Sequence, residues 1–270
     1  MKQLFSFLLI VFLALVGCMK DPAGFSDNDK SDNENTVPVY PSSIMKLSES
    51  ELQTLKAEFD ALKGDSLSGE LDAYGLVDYA GNLVRGNSNI TEAETAISQA
   101  RDILIRLGKF TNVNDSTLFE TKEVTNQHGS GLFNDWIITF ENQMYNGLEV
   151  MNTEVMVLVG DEVRQISGHH YTNIMVPEDD AIGATEAGQL LVGYQIDYVC
   201  WTPSTYIVTE ASVNYSKIEK VVYPFHFDDR IEFRVAWKIP IGDSISIPDW
   251  YIYMDVMLGE ILLIEQTFVC

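Results

Sequence analysis

At 270 residues the chain is long enough for one large domain or two of ordinary size, either able to bury a real core. Its 46% apolar and 11% aromatic residues are those of a globular protein. The net charge of −23, from 40 acidic against 17 basic residues, repels phosphate backbones and anionic lipid headgroups and argues against nucleic-acid binding.

Residues 1–17 read as an export signal. Lys2 gives a positive start, and Leu4 to Val16 form an apolar core too short for a comfortable membrane span. The core runs into Leu15-Val16-Gly17-Cys18, which resembles the lipobox of bacterial lipoproteins. That resemblance implies cleavage before Cys18 and acylation of its thiol, anchoring the chain in the membrane; each buried CH₂ contributes about 0.8 kcal/mol. Residues 18–45 hold the acidic run "SDNDKSDNENTVP", too polar to offset its own conformational entropy, and are expected to be a flexible tether. Met19 is not the Asp that implies inner-membrane retention, so the expected location is the outer membrane of a bacterial envelope.

Within residues 46–89, Ser48 to Lys63 read "SESELQTLKAEFDALK", an amphipathic helix. Ser48 and Glu51 have capping-box spacing, and Leu52, Leu55, Phe59 and Leu62 recur at helical intervals. The glycine-rich remainder reads as turns and one hairpin. Thr91-Glu92-Ala93 begins a second helix, with Glu94 in capping-box spacing and Ile97, Ala100 and Leu104 facing inward. Four strand-like runs follow: "LFETKEV", "WIITFENQ", "EVMVLV" and "EVRQISGHHY". The last two form a hairpin whose turn is Gly160-Asp161-Glu162, with Val155, Val157 and Val159 on one side.

The pattern then repeats. Thr185-Glu186-Ala187 starts another helix, with Leu191 and Tyr194 at the offsets of Ile97 and Ala100. Its strands are "KVVYPF", "IEFRVAWKI", "WYIYMDV" and "EILLIEQ". Ile231, Phe233, Val235, Trp237 and Ile239 alternate with Glu232, Arg234 and Lys238, which predicts one buried and one wet face. The expected fold class is α+β: two tandem helix-on-antiparallel-sheet units, residues 90–176 and 177–270, preceded by a helix and a tether.

This order of motifs resembles the tandem propeptide of thermolysin-type and fungalysin-type metallopeptidases, with its FTP and PepSY (cystatin-like) modules. The matching pieces are Trp136 to Phe140, Tyr145-Asn146-Gly147 with Val150, Gly160 to Val163, "KVVYP" at 220–224, "FRVAWKI", and Asp255 with Gly259-Glu260. Leu258 departs from the family's threonine. The resemblance spans roughly Asn89 to the end. It implies an inhibitor or folding chaperone of a peptidase, bound by strand addition. In the family the module precedes a domain carrying His-Glu-x-x-His, a motif found nowhere in these 270 residues, so a separate secreted thermolysin-like metallopeptidase is the expected partner. The alternative is a structural or ligand-binding surface lipoprotein that has kept the fold alone.

Residues for chemistry are sparse, and neither enzymatic activity nor a cofactor is expected. His169-His170 on a strand would point to opposite faces, His128 lies in a glycine-rich loop, and His226 follows an aromatic run. Asp179-Asp180 and Asp228-Asp229 sit in turn-like contexts, where carboxylates are ordinarily solvated. Tyr251 and Tyr253 would share the wet face, a place for a partner or a sugar. In an oxidising compartment Cys200 and Cys270 would be able to pair; two independent thiols is the other reading.

Overall fold

The computed structural model of the chain describes residues 40–63, 67, 69–81, 89–113, 120–126, 135–242 and 249–268. The expected signal peptide, Cys18, His128 and Cys270 lie outside the described residues, as does all of the expected tether except its end. The fold is α+β, built on two larger sheets and a two-stranded one.

The six-stranded sheet has the order β2-β3-β9-β8-β5-β4. Its strands are β2 (Gly69–Leu71), β3 (Val77–Gly81), β4 (Thr121–Asn126), β5 (Trp136–Phe140), β8 (Val155–Val159) and β9 (Val163–Ser167). The β2–β3 pair is the hairpin expected in the glycine-rich segment. The β8–β9 hairpin forms as its alternation predicts, with Val155, Val157 and Val159 fully buried. Three helices supply the facing layer: α1 (Glu49–Lys63), α2 (Ala93–Arg106) and the single turn α3 (Gly108–Thr111). Phe59 of α1, Ala96, Ala100 and Leu104 of α2, and Phe110 of α3 close the core over these valines.

The helix ends separate two sequence signals that look alike. At α1 the capping box exists: the Ser48 N–H donates to Glu51 Oε2 at 2.8 Å, and the Glu51 N–H reaches Ser48 Oγ at 3.4 Å. At α2 the Thr91–Glu94 box does not form. The N-cap is Glu92, one residue later, with no side-chain cap bond. Leu62 also departs from expectation: it is 45% exposed, because the α1 face that packs ends at Phe59.

The seven-stranded sheet has the order β15-β14-β13-β12-β7-β6, with β1 also on β13. These are β1 (Ser42–Met45), β6 (Met144–Tyr145), β7 (Leu148–Val150), β12 (Glu219–His226), β13 (Arg230–Ile241), β14 (Trp250–Asp255) and β15 (Ile261–Gln266). The central strand β13 is long enough to hold two partners on one side: β1 takes Arg230–Phe233 and β14 takes Ala236–Ile241. Strand β1 corrects the expected tether, which ends inside the fold. Its register on β13 is fixed partly by Tyr40, whose phenol oxygen accepts the Val235 N–H at 2.9 Å.

The two sheets share sequence neighbours. Strands β6 and β7 lie in the range of the first expected unit but pair in this second sheet, through a parallel ladder between β7 and β12. Their tight turn is Asn146-Gly147, both at positive φ (51° and 79°), the combination a two-residue type I′ hairpin requires. The chain then returns to the first sheet at β8.

One face of this sheet is covered by α4 (Ala184–Leu190) and the hairpin of β10 (Gln195–Val199) and β11 (Pro203–Ile207), meeting Ile239, Ile241, Trp250 and Ile252. Helix α4 is half the length of α2, so the repeat is partial. Leu191 is buried at its end, but Gly193 (φ 89°) turns the chain away and leaves Tyr194 38% exposed.

Candidate functional site

The expected wet face of the second sheet is not wet. Val221, Ala236 and Tyr253 are buried there, with Tyr223, Tyr251, Leu263 and Met151 packed round them. Register explains it: Tyr223, Arg234, Tyr253 and Leu263 stand on one side of neighbouring strands, and long side chains lean over the small Ala236. Tyr253 is 1% exposed and its phenol donates to Glu265 at 2.9 Å. Burial first, then that carboxylate, pushes its pKa well above the usual tyrosine range. The sugar or partner site expected of the Tyr251–Tyr253 pair is thus corrected. Tyr253 is a core residue, and Tyr251 lies half-buried beneath the Lys238 ammonium, 4.6 Å from its ring centroid.

Beside this cluster sits an ion network. Arg234 binds Glu232 at 2.8 Å and Asp255 at 3.2 Å, and Arg230 binds Glu232 at 2.8 Å. Burial alone would raise the Glu232 carboxyl, but hydrogen bonds from both arginines win and hold it below its ordinary value. Asp255 is 1% exposed and its other oxygen accepts the backbone N–H groups of Met257 and Leu258 at 2.8 and 3.0 Å. The Asp255-to-Glu260 turn is therefore built by a carboxylate that satisfies the chain beyond it. Asp229 and Glu260 join it at the exposed rim, and the network ties β13 to the turn that Asp255 builds.

Of the other paired carboxylates, two are also in ion pairs. Asp180 pairs with Lys220, Asp229 pairs with Arg230, and the carbonyls of Asp228 and Asp229 accept from the Lys46 side chain and backbone. The histidines lie past β9 rather than on it, because Gly168 (φ 93°) ends the strand. A Cβ there would meet the Glu154 carbonyl at 2.1 Å. His169 shares its Nδ1 with the Val77 carbonyl at 2.9 Å and meets Tyr171 edge-on. His170 is no wet strand end: burial, with His169 adding a smaller push, lowers its pKa to about 4. His226 ends β12; partial enclosure and His169 lower it, and Asp72 opposes them. Among the described residues no group of three or more His, Cys, Asp or Glu is placed to hold a metal.

Two further features were not legible as sites in the sequence. Asp135, 1% exposed, binds Arg164 at 3.1 Å. The Arg164 side chain crosses Gly160 so closely that a Cβ there would lie 2.0 Å from its Nε, which is why the turn of the β8–β9 hairpin carries glycine. The other is an edge. Strand β15 is outermost in the seven-stranded sheet and pairs, among the described residues, only with β14. Its residues Ile261 to Ile264 are half-buried, with their backbone at the rim. Beside it, Ile196, Tyr198 and Trp250 line a cleft of about 400 Å³ with Ile264 and Gln266. Cys200, at the far end of β10, is disulfide-bonded, with a partner outside the described residues.

No protein-family model matches the chain, and no curated protein matches it. Among solved structures it is similar to the Bacillus megaterium YpeB C-terminal domain, at 12% identity and a TM-score of 0.34, over 83% of this chain and 99% of that one. A likeness of that extent carries no argument about function.

Proposed function

We propose that this chain is a non-enzymatic, membrane-anchored binding protein, acting as inhibitor or folding chaperone of a separate secreted thermolysin-like metallopeptidase. Two tandem PepSY-like units, in the sense of the propeptide resemblance, are the architecture it would use, and acylated Cys18 at the outer membrane is its anchor. The observation that supports the reading best is β15: a six-residue edge strand, apolar from Ile261 to Ile264, on a sheet with one face covered by α4 and the β10–β11 hairpin. Such an edge takes an extended peptide by main-chain pairing, and a neighbouring cleft takes its side chains.

A propeptide tethered to its enzyme enjoys an effective concentration often in the millimolar range, which a separate chain lacks. A micromolar constant, about 8 kcal/mol, is therefore the expected strength. Titrating the full chain against secreted metallopeptidases of the thermolysin type should give inhibition at that level and speed their refolding. No inhibition and no refolding assistance at about 100 μM overturns the proposal.

A further inference from the structure

The segment between Glu186 and Glu210 carries one charged side chain, Asp197, in a chain of which 21% is charged. The same segment holds Leu190, Val192, Tyr194, Val199, Trp201 and Ile207, all more than a third exposed, half of the large exposed hydrophobics among the described residues. They are not scattered. Val199 and Ile207 stand on the outward side of the β10–β11 ribbon, whose inward side packs Tyr198 and Tyr206 against Trp250 at 5.6 and 4.5 Å. Trp201 occupies the tip and is 91% exposed, whereas Trp250 is 3% exposed and Trp136 and Trp237 are both half-buried. Cys200 beside it is disulfide-bonded, which fixes the tip.

We infer that the β10–β11 tip, with Trp201 foremost, inserts into the interface of a lipid bilayer with uncharged headgroup character. A tryptophan is amphipathic and prefers the boundary between hydrocarbon and water. The tip bears no lysine or arginine, so anionic headgroups have nothing to hold, and the rest of the chain at net −23 is repelled by them. Asp197 sets the depth. It lies two residues behind Val199, about 7 Å along the strand, with its carboxylate accepting the Thr205 hydroxyl at 2.7 Å. Insertion therefore takes Val199, Trp201 and Pro203 into the interface and leaves Asp197 among the headgroups. A second copy of this chain is a poorer occupant. A protruding three-residue tip offers far less than the roughly 800 Å² per partner of a stable interface, and docking would bring two strongly acidic chains together. The inference is independent of any peptidase partner.

Depth-resolved quenching tests it on the full chain. With phosphatidylcholine vesicles carrying brominated acyl chains, emission from Trp201 should shift to the blue and be quenched, and Trp201→Phe should remove that component. Val199→Asp, which charges the tip without touching the core, should weaken it, and phosphatidylglycerol should weaken it as well. A vesicle-bound chain whose Trp201 stays in the aqueous phase, open to acrylamide, overturns the inference, because an acyl anchor alone gives that result. No vesicle association overturns it too. A blue shift that grows with protein concentration and needs no vesicles overturns it in favour of a second copy.

Discussion

At Trp237 the sequence pattern and the structure agree on direction and differ in degree. The ring faces inward as its alternation predicts, yet it is only half-buried, bridging two core clusters, with its Nε1–H donated to the Ile182 carbonyl at 2.8 Å. Trp237→Ala should cost about 3–5 kcal/mol in urea denaturation, from the emptied volume and a stranded carbonyl. A loss below about 1 kcal/mol would put the ring on the other face and reverse every neighbour in β13. Arg164→Ala should cost about 3–5 kcal/mol, because it leaves the Asp135 carboxylate buried without its guanidinium. His170 and Tyr40 show how burial makes stability depend on pH. His170 titrates near 4 when folded and near its usual 6.5 when unfolded, so the stability it contributes is full above 6.5 and lost as pH falls towards 4. Exchanging His170 for Gln should flatten the stability profile across that window. Tyr40, pushed up to about 12 chiefly by burial, acts at the other end: its contribution holds below 10 and disappears as pH rises from 10 to 12. Tyr171 and Tyr253, also raised chiefly by burial, act in the same direction, so Tyr40→Phe should lessen the alkaline decline without abolishing it.

Among the elements, those with a full alternating or helical pattern were legible. The β8–β9 hairpin, β12 to β15, α1 and α2 lie where period and turn chemistry place them, because each turns one side of a regular pattern towards the core. Short elements were not. Strand β1 has four residues and exists because β13 extends past β14, a fact no local pattern contains. The β10–β11 pair has no readable alternation, since Gln195, Asp197 and Thr205 share its outward side with Val199 and Ile207. The crossing of β6 and β7 into the second sheet depends on a partner, β12, some seventy residues on. The face holding Tyr253 was misread for a related reason: alternation gives which residues share a side, not what else leans over it. The two capping boxes make the limits of local signals testable. Ser48→Ala should cost about 1 kcal/mol and Thr91→Ala less than about 0.5, since only the first side chain caps its helix. Equal costs would mean that the α2 start is misplaced.

For the whole molecule, the proposed anchor, the disulfide and the proposed binding edge are linked. Palmitate-analogue labelling should mark the protein, and Cys18→Ala should abolish the label and the stable anchoring, leaving only the weaker, reversible association that the β10–β11 tip supports. A Cys18→Ala chain that still carries label would refute the anchor. If Cys18 is acylated, Cys200 has Cys270 as its remaining intramolecular partner. Phe268, which meets Tyr198 at 5.8 Å, already brings the end of the chain beside β10. Peptide mapping without reductant should recover Cys200 with Cys270; a Cys18–Cys200 peptide would contradict both readings at once. Such a bond would hold the chain end against the ribbon next to β15, the strand on which the proposed partner is to be paired. Hydrogen exchange at β15 tests that pairing most directly. On adding a secreted thermolysin-like peptidase at saturating concentration, the outward amides of Ile261–Gln266 should slow by at least about tenfold, which corresponds to 1.4 kcal/mol, while those of the opposite-sheet edge β4 stay unchanged. Protection that appears elsewhere, or an edge of β15 that exchanges as fast with the peptidase as without it, would contradict the account.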